Sequence, residues 1–234
     1  SGDLIKGQDR VDYEKILTRE ASIDVYVDSL KTLIQYLYNH YKQKVVVLID
    51  EYDTPIHEAY ERGYYTNIVD FLRSFLGTGL KDNPYIEKTV ITGILRISKE
   101  SIFSDLNNFA VYTTINNKYA DKFGLTENEV WEALDYYQLS SYKEGVKDWY
   151  NGYVFGETDG IYNPWSILNF LNKSSEGLRP HWVNTSSNLL VKKLLTTAGT
   201  DAKKDMELLL TGQPVRKEVV VDTVFADVEK NSET

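Results

Sequence analysis

Two adjacent carboxylates, Asp50 and Glu51, directly follow a run of five branched apolar residues, Val45–Ile49. Such a run predicts a strand that is buried on both faces of a sheet. Open α/β sheets bind ligands at the carboxyl ends of their strands, which is where this pair would lie. There one carboxylate can hold Mg²⁺, usually through water, while its neighbour orients and polarises an attacking water. The pattern therefore predicts Asp50 as a metal ligand and Glu51 as a catalytic residue; the alternative is a solvated turn, since acidic residues commonly end strands.

A second chemical pattern accompanies the next predicted strand, Lys88–Leu95. Thr92 stands near the end of this strand, and Arg96 follows it. Beside an Asp-Glu pair, a polar side chain can contact a γ-phosphate or the attacking water, and an arginine can stabilise developing negative charge. The alternative is an ordinary core strand followed by a surface arginine. Asp53 is predicted instead to cap the turn that follows it.

The sequence contains no phosphate-binding loop of the form G-x-x-x-x-G-K-[ST], in which backbone amides cradle phosphate and lysine neutralises charge. It has no Gly-Lys dipeptide at all. The nearest spacing match, Gly2–Gly7, is followed by Gln8 and Asp9 where a lysine and a hydroxyl are required. The Asp-Glu pair is therefore predicted to form half of a nucleotide site that lacks its phosphate-holding half.

Composition excludes several other kinds of site. The sequence has no cysteine, which rules out disulfides, thiolate zinc sites and cysteine nucleophiles. Its three histidines are far apart in sequence, so a histidine metal cluster is not expected. The formal net charge of −9 disfavours direct nucleic-acid binding through this region. No apolar run approaches the roughly 20 residues of a membrane helix, so a cytoplasmic protein without membrane contact is expected.

Hydrophobic periodicity predicts an α/β arrangement in the first half of the chain. Apolar residues at spacings of three and four indicate a helix over 23–41, with Ser22 as its cap. A second helix is predicted over Tyr64–Leu76, ended by Gly77 and Gly79. Ala110–Ile115 is predicted to be a third strand. The order helix, strand, helix, strand favours a parallel sheet with flanking helices.

Short helices are predicted in the second half of the chain. Thr126 and Glu129 form a capping box, and Asn163 followed by proline is a strong helix start. The other predicted elements are helices over Ser141–Tyr150, Asn188–Thr197 and Asp201–Leu210 and a strand over Val219–Val221. This change of character places a boundary near residues 118–126, with an α/β core over 1–120 and a helical lid over 121–234.

The segment Trp149–Leu168 is rich in aromatic residues and in glycine, asparagine and proline, which suit turns. Its aromatic side chains are predicted to pack between subdomains, as aromatics often do. The alternative is a lid that closes over an adenine ring.

Four segments in this order resemble the predicted AAA-ATPase-like family. They are LIDEYDTPI (Leu48–Ile56), TGILRISKESIFSDLNN (Thr92–Asn108), FGLTENEV (Phe123–Val130) and GYVFGETDGIYNPWSIL (Gly152–Leu168). The resemblance implies an α/β fold, with a partial P-loop-type parallel sheet and a mostly helical or winged-helix-like lid. It implies that Asp50 is the Walker B magnesium residue, Glu51 the catalytic glutamate and Thr92 the sensor residue, with Arg96 nearby. It also implies that Pro164 approaches the nucleotide base.

The resemblance also indicates what the chain lacks. The phosphate-binding loop and the C-terminal restriction-endonuclease-like nuclease domain of such proteins are both absent, so the chain is expected to be part of a larger protein. In the intact protein, ATP and magnesium are the expected cofactors and ATP hydrolysis the expected activity; the chain alone is expected to be inactive. The alternatives are a nucleotide-gated switch without turnover and a metal-dependent nuclease-associated module. Assembly into a homo-oligomer stays open.

Overall fold

The computed structural model describes residues 5, 7–94, 102–103, 106, 109–181, 196 and 199–217. The helices are α1 (Gln8–Thr18), α2 (Ile23–Tyr41), α3 (Thr54–Arg62), α4 (Tyr65–Leu80), α5 (Glu127–Tyr136), α6 (Lys143–Tyr150), α7 (Pro164–Asn172) and α8 (Thr200–Leu210). The strands are β1 (Val45–Ile49), β2 (Ile86–Ile91), β3 (Leu125–Thr126), β4 (Asn151–Phe155) and β5 (Thr158–Tyr162). The predicted strand over Val219–Val221 lies outside the described residues, as does the predicted helix over Asn188–Thr197 except for Thr196.

Contacts between residues divide the chain into two compact units, one of residues 1–109 with 193–234 and the other of residues 110–192. The predicted functional division into 1–120 and 121–234 stays a prediction. Among the described residues, no helix has both the length and the apolar character that a bilayer crossing requires.

The first unit contains a parallel pair of strands, which confirms the predicted α/β class. β1 pairs with β2 in parallel, with Val47 opposite Thr89 and Ile49 opposite Ile91. Parallel strands need a crossover connection, and here α3 and α4 provide it. The chain therefore brings the carboxyl ends of both strands to one edge.

Helices α2 and α4 pack against each other in this unit. A Cβ atom on Gly79 would lie 2.7 Å from Leu30 Cδ2 on α2, so the glycine allows the two helices to approach closely. The prediction that Gly77 and Gly79 end the second helix is wrong, because α4 continues to Leu80. Tertiary packing has outweighed the low helix propensity of glycine at these positions.

Strand β1 is covered on one face only, so the prediction that both faces are buried is wrong for the described residues. Val47 is 8% exposed, whereas Val46 and Leu48 are 54% and 73% exposed. On β2, Val90 pairs with Leu48 and is 44% exposed. The sheet therefore presents an apolar face that no described residue covers.

The segment 110–115 is irregular, and the predicted third strand there is wrong. Its apolar residues suit a strand, but its described hydrogen bonds form no strand pairing. The Asn116 side chain accepts hydrogen bonds from the Thr113 amide and hydroxyl at 2.8 and 3.0 Å. The Gly156 amide donates to the Thr114 carbonyl at 2.8 Å.

The described residues of the second unit combine three α-helices with a small antiparallel sheet of order β3-β5-β4. Its core is formed by Val130, Leu134, Val146, Tyr150, Tyr162, Ile167 and Phe170. Both predicted helix starts are confirmed. Thr126 and Glu129 form the capping box of α5, and the Asn163 side chain accepts from the Ser166 amide at the start of α7.

The aromatic segment 149–168 contains the hairpin β4–β5, which the turn-rich sequence did not predict. Gly156 has a φ of 54° between the two strands, a left-handed conformation that glycine adopts readily. Tyr150 and Tyr162 lie in the core of the second unit, while Trp149 and Trp165 are 52% and 50% exposed. The hydroxyl of Tyr162 donates to Glu127 at 3.0 Å, and burial raises the pKa of this tyrosine above its ordinary value.

Candidate active site

The ends of β1 and β2 are joined by backbone hydrogen bonds that continue past the strands. The Thr92 amide donates to the Ile49 carbonyl at 2.8 Å, and the Tyr52 amide donates to the Thr92 carbonyl at 3.0 Å. Asp50 and Glu51 therefore lie directly beside Thr92 at one edge of the sheet. All three are exposed.

The Thr92 hydroxyl contacts both neighbouring acidic residues. It donates a hydrogen bond to Asp50 Oδ1, and it accepts one from the Glu51 amide at 3.3 Å. The structure thus brings together three of the predicted site residues, one that follows β2 and two that follow β1.

Glu51 has an unusual backbone conformation for its residue type. Its φ is 50°, in the left-handed region that non-glycine residues seldom occupy. Thr54 stabilises this turn with two hydrogen bonds. Its amide donates to the Glu51 carbonyl at 3.0 Å, and its hydroxyl donates to Glu51 Oε2 at 3.3 Å. Such conformations persist where the surroundings fix them, and they cluster at active sites and ligand clamps.

The Asp53 side chain binds the backbone of the segment that follows β2. Its side chain is almost fully buried, and Oδ2 accepts a hydrogen bond from the Ile94 amide at 2.9 Å. The same oxygen lies 3.6 Å from His57 Nε2. Asp53 occupies the N-cap position of α3, but its carboxylate makes no capping bond, so the predicted capping role of the side chain is wrong.

Gly93, directly after Thr92, lies against the acidic segment that follows β1. A Cβ atom at this position would lie 2.6 Å from Tyr52 Cε1 and 2.8 Å from Asp53 Oδ1. Tyr52 cannot move freely, because its ring also packs edge-on against Phe103 with centroids 5.1 Å apart. Only glycine allows the end of β2 to approach this closely.

We expect Gly93→Ala to destabilise the protein by about 1–3 kcal/mol, the usual cost of overpacking a tight site. Chemical denaturation would measure the loss. Gly145→Ala on α6 is a suitable control, because its added methyl would meet chiefly the end of the flexible Leu178 side chain. Alanine also favours a helix over glycine by about 1 kcal/mol. Equal stability changes in the two variants would contradict the close approach described for Gly93.

The oxygen atoms at this edge fit magnesium bound together with a nucleotide. Mg²⁺ prefers oxygen ligands, keeps several waters and usually takes one or two carboxylates plus substrate phosphates. Asp50 and Glu51 offer that number of carboxylates. Within the described part of the chain, no group of three or more His, Asp or Glu residues could hold a metal ion on its own. The described residues of this edge therefore offer two carboxylates to a metal and leave its other ligands to water and a bound group.

The other two predicted site residues are not among the described residues that meet at this edge. Arg96 lies outside the described residues. Pro164 is the first residue of α7, in the second unit, and its approach to a nucleotide base stays a prediction. Sequence reasoning missed the part played by Asp53 and Gly93. The signals available were a third acidic residue after the Asp-Glu pair and a glycine directly after Thr92.

Comparison with known proteins identifies the segment that carries this edge. Residues 7–103 match the family model described as Predicted AAA-ATPase. A protein of Azotobacter chroococcum mcd 1, described as "Uncharacterized protein in vnfD 5'region", is 31% identical over 156 residues. That match covers 66% of this chain but only 29% of the relative, which is much longer. No solved structure matches. The match over residues 7–103 includes β1, β2 and the Asp50, Glu51 and Thr92 cluster, so the segment that carries this edge is the one that matches the predicted AAA-ATPase family.

Proposed function

We propose that this chain provides the metal-binding and water-activating side of an ATP-hydrolysing site. One observation carries the proposal: Asp50, Glu51 and Thr92 meet at the shared carboxyl edge of two parallel strands. Ligands of open α/β sheets bind at such edges. The match of residues 7–103 to the predicted AAA-ATPase family makes ATP the nucleotide to test.

The two carboxylates have different parts in the proposed reaction. Asp50 would hold Mg²⁺, which neutralises charge on the β- and γ-phosphates when it is bound. Oδ1 of Asp50 accepts from Thr92, so Oδ2 is the oxygen that this bond leaves for the metal. Glu51 would orient the attacking water and accept its proton as the phosphorus–oxygen bond forms. Arg96 would stabilise negative charge as the terminal phosphate leaves.

The phosphates themselves need a cradle that residues 1–234 do not encode, since the sequence has no Gly-Lys dipeptide. The uncovered apolar face of the sheet supports the proposal that further polypeptide supplies this phosphate-binding cradle. Val46, Leu48 and Val90 would be poorly placed in water, because parallel sheets are normally covered on both faces. We propose that additional chain covers this face and carries the phosphate-binding loop. We propose further that the intact protein is cytoplasmic, that its lid moves and that a nuclease domain is attached.

A metal-dependent nuclease site is a weaker candidate. It would need further ligands beside Asp50 and Glu51, and Asp53 is the nearest acidic residue in the sequence. The Asp53 carboxylate is buried against the Ile94 amide and His57 instead. Nicking of DNA by the 234-residue chain in the presence of Mg²⁺ would favour the nuclease over the ATPase.

The proposal is tested by measuring phosphate release from ATP with two proteins. One is the 234-residue chain, and the other is the full-length natural polypeptide that contains it. We expect Mg²⁺-dependent turnover by the full-length protein and none by the shorter chain. Tight ATP binding by the full-length protein without phosphate release would show a nucleotide-gated switch and would contradict the hydrolytic function.

A further inference from the structure

The hydroxyl of Thr92 is already engaged by protein groups. A threonine hydroxyl has a single proton to donate, and here that proton goes to Asp50 Oδ1. The same oxygen accepts from the Glu51 amide at 3.3 Å. Because its one donor is in use, this hydroxyl is poorly placed to donate a hydrogen bond to a phosphate oxygen.

Each of the two bonds constrains one acidic residue. The bond to Oδ1 fixes the orientation of the Asp50 carboxylate and leaves Oδ2 for another ligand. The bond from the Glu51 amide holds a backbone whose φ of 50° is otherwise unfavourable. A single side chain directly after β2 therefore sets the position of both residues that follow β1.

We propose that Thr92 is a positioning residue for Asp50 and Glu51 and does not contact the nucleotide. This role differs from that of a sensor residue, which would contact the γ-phosphate or the attacking water. The proposal rests on the proposed function, because it assigns a metal-binding task to Asp50. If Thr92 positions the acidic residues, loss of its hydroxyl weakens the response to Mg²⁺. If Thr92 is a sensor, the same loss weakens the preference for ATP over ADP.

The test uses Thr92→Val and Thr92→Ser in the full-length natural polypeptide. Valine keeps the shape and removes the hydroxyl, whereas serine keeps the hydroxyl. For Thr92→Val we expect the Mg²⁺ concentration at half-maximal turnover to rise about 10–100-fold, the usual effect of removing a group that orients a metal ligand. The ratio of ATP to ADP affinity should stay at the wild-type value. Thr92→Ser should restore the wild-type response to Mg²⁺.

Thr89→Val is the matched control, because Thr89 lies on β2, three residues before Thr92, and is half-buried. It should leave the Mg²⁺ response unchanged. A Thr92→Val protein that loses preference for ATP over ADP, while its Mg²⁺ response is unchanged, would overturn the proposal and favour a sensor. Equal impairment of Thr92→Ser and Thr92→Val would also overturn it.

A readout without turnover separates this proposal from the proposed function. In the 234-residue chain, Thr92→Val should speed hydrogen exchange at the Glu51 amide, whereas Thr89→Val should not. Unchanged exchange at Glu51 would overturn the positioning role. If instead Glu51 exchange responds as expected but Asp50→Asn leaves the Mg²⁺ dependence of the full-length protein unaltered, the proposed metal function fails and the positioning role of Thr92 stands.

Discussion

Glu51→Gln in the full-length natural polypeptide is expected to lower ATP turnover by about 10²–10⁴-fold, the usual contribution of a positioned general base. Glutamine has nearly the shape of glutamate, and its side-chain oxygen can still accept from the Thr54 hydroxyl, as Glu51 does at 3.3 Å. It cannot accept a proton from water. Nucleotide affinity should therefore stay close to the wild-type value while phosphate release falls, and single-turnover kinetics would measure both.

Glu58→Gln is the matched control for this change. Glu58 lies on α3, close to Glu51 in sequence, and pairs with Arg62 at 2.9 Å on the surface. Surface pairs of this kind contribute little to stability. The Glu58 variant should keep wild-type turnover. Equal rates in the Glu51 variant and the wild type would show that another group activates the water.

The largest effect on stability is expected from Phe170→Ala in the second unit. Phe170 is fully buried, and its ring lies 5.4 Å from the ring of Tyr142 and 6.1 Å from that of Tyr150, between centroids. Removing a buried phenylalanine costs about 3–5 kcal/mol, because the cavity that remains is only partly refilled. Native-state hydrogen exchange should show this loss at amides of α5, α6 and α7.

Leu168→Ala on the same helix is the control, because Leu168 is 55% exposed. A surface change of this kind is expected to alter stability by about 0.5 kcal/mol or less. Similar losses for the two variants would mean that the core of the second unit is not centred on Phe170.

The candidate site was predictable because the residues that indicate it are neighbours in the sequence. A short apolar run followed by Asp50 and Glu51 indicates a strand with acidic residues at its carboxyl end. The rule that parallel strands end at one edge then brings Thr92 to the same place. Helix starts at Thr126 and Asn163 were predictable for the same reason, since a cap depends on a few neighbouring residues.

Features that depend on distant contacts were not predictable from pattern. Gly79 reads as a helix stop, yet it lies inside α4 because Leu30 packs against it. The run Val45–Ile49 reads as a strand covered on both sides, but coverage depends on which elements lie nearby. The position of Asp53 depends on the Ile94 amide, 41 residues away in sequence. Local spacing carries no information about such partners.

We propose that Asp50 holds the metal of an ATP-hydrolysing site at the end of β1. The most direct test is a crystal structure of the full-length natural polypeptide with a non-hydrolysable ATP analogue and Mn²⁺ in place of Mg²⁺. Anomalous scattering would locate the manganese without reference to its expected position. We expect a manganese peak bonded to the Asp50 carboxylate or one water away from it, next to the terminal phosphates. A fully occupied nucleotide site whose manganese lies away from Asp50 would contradict this role of Asp50.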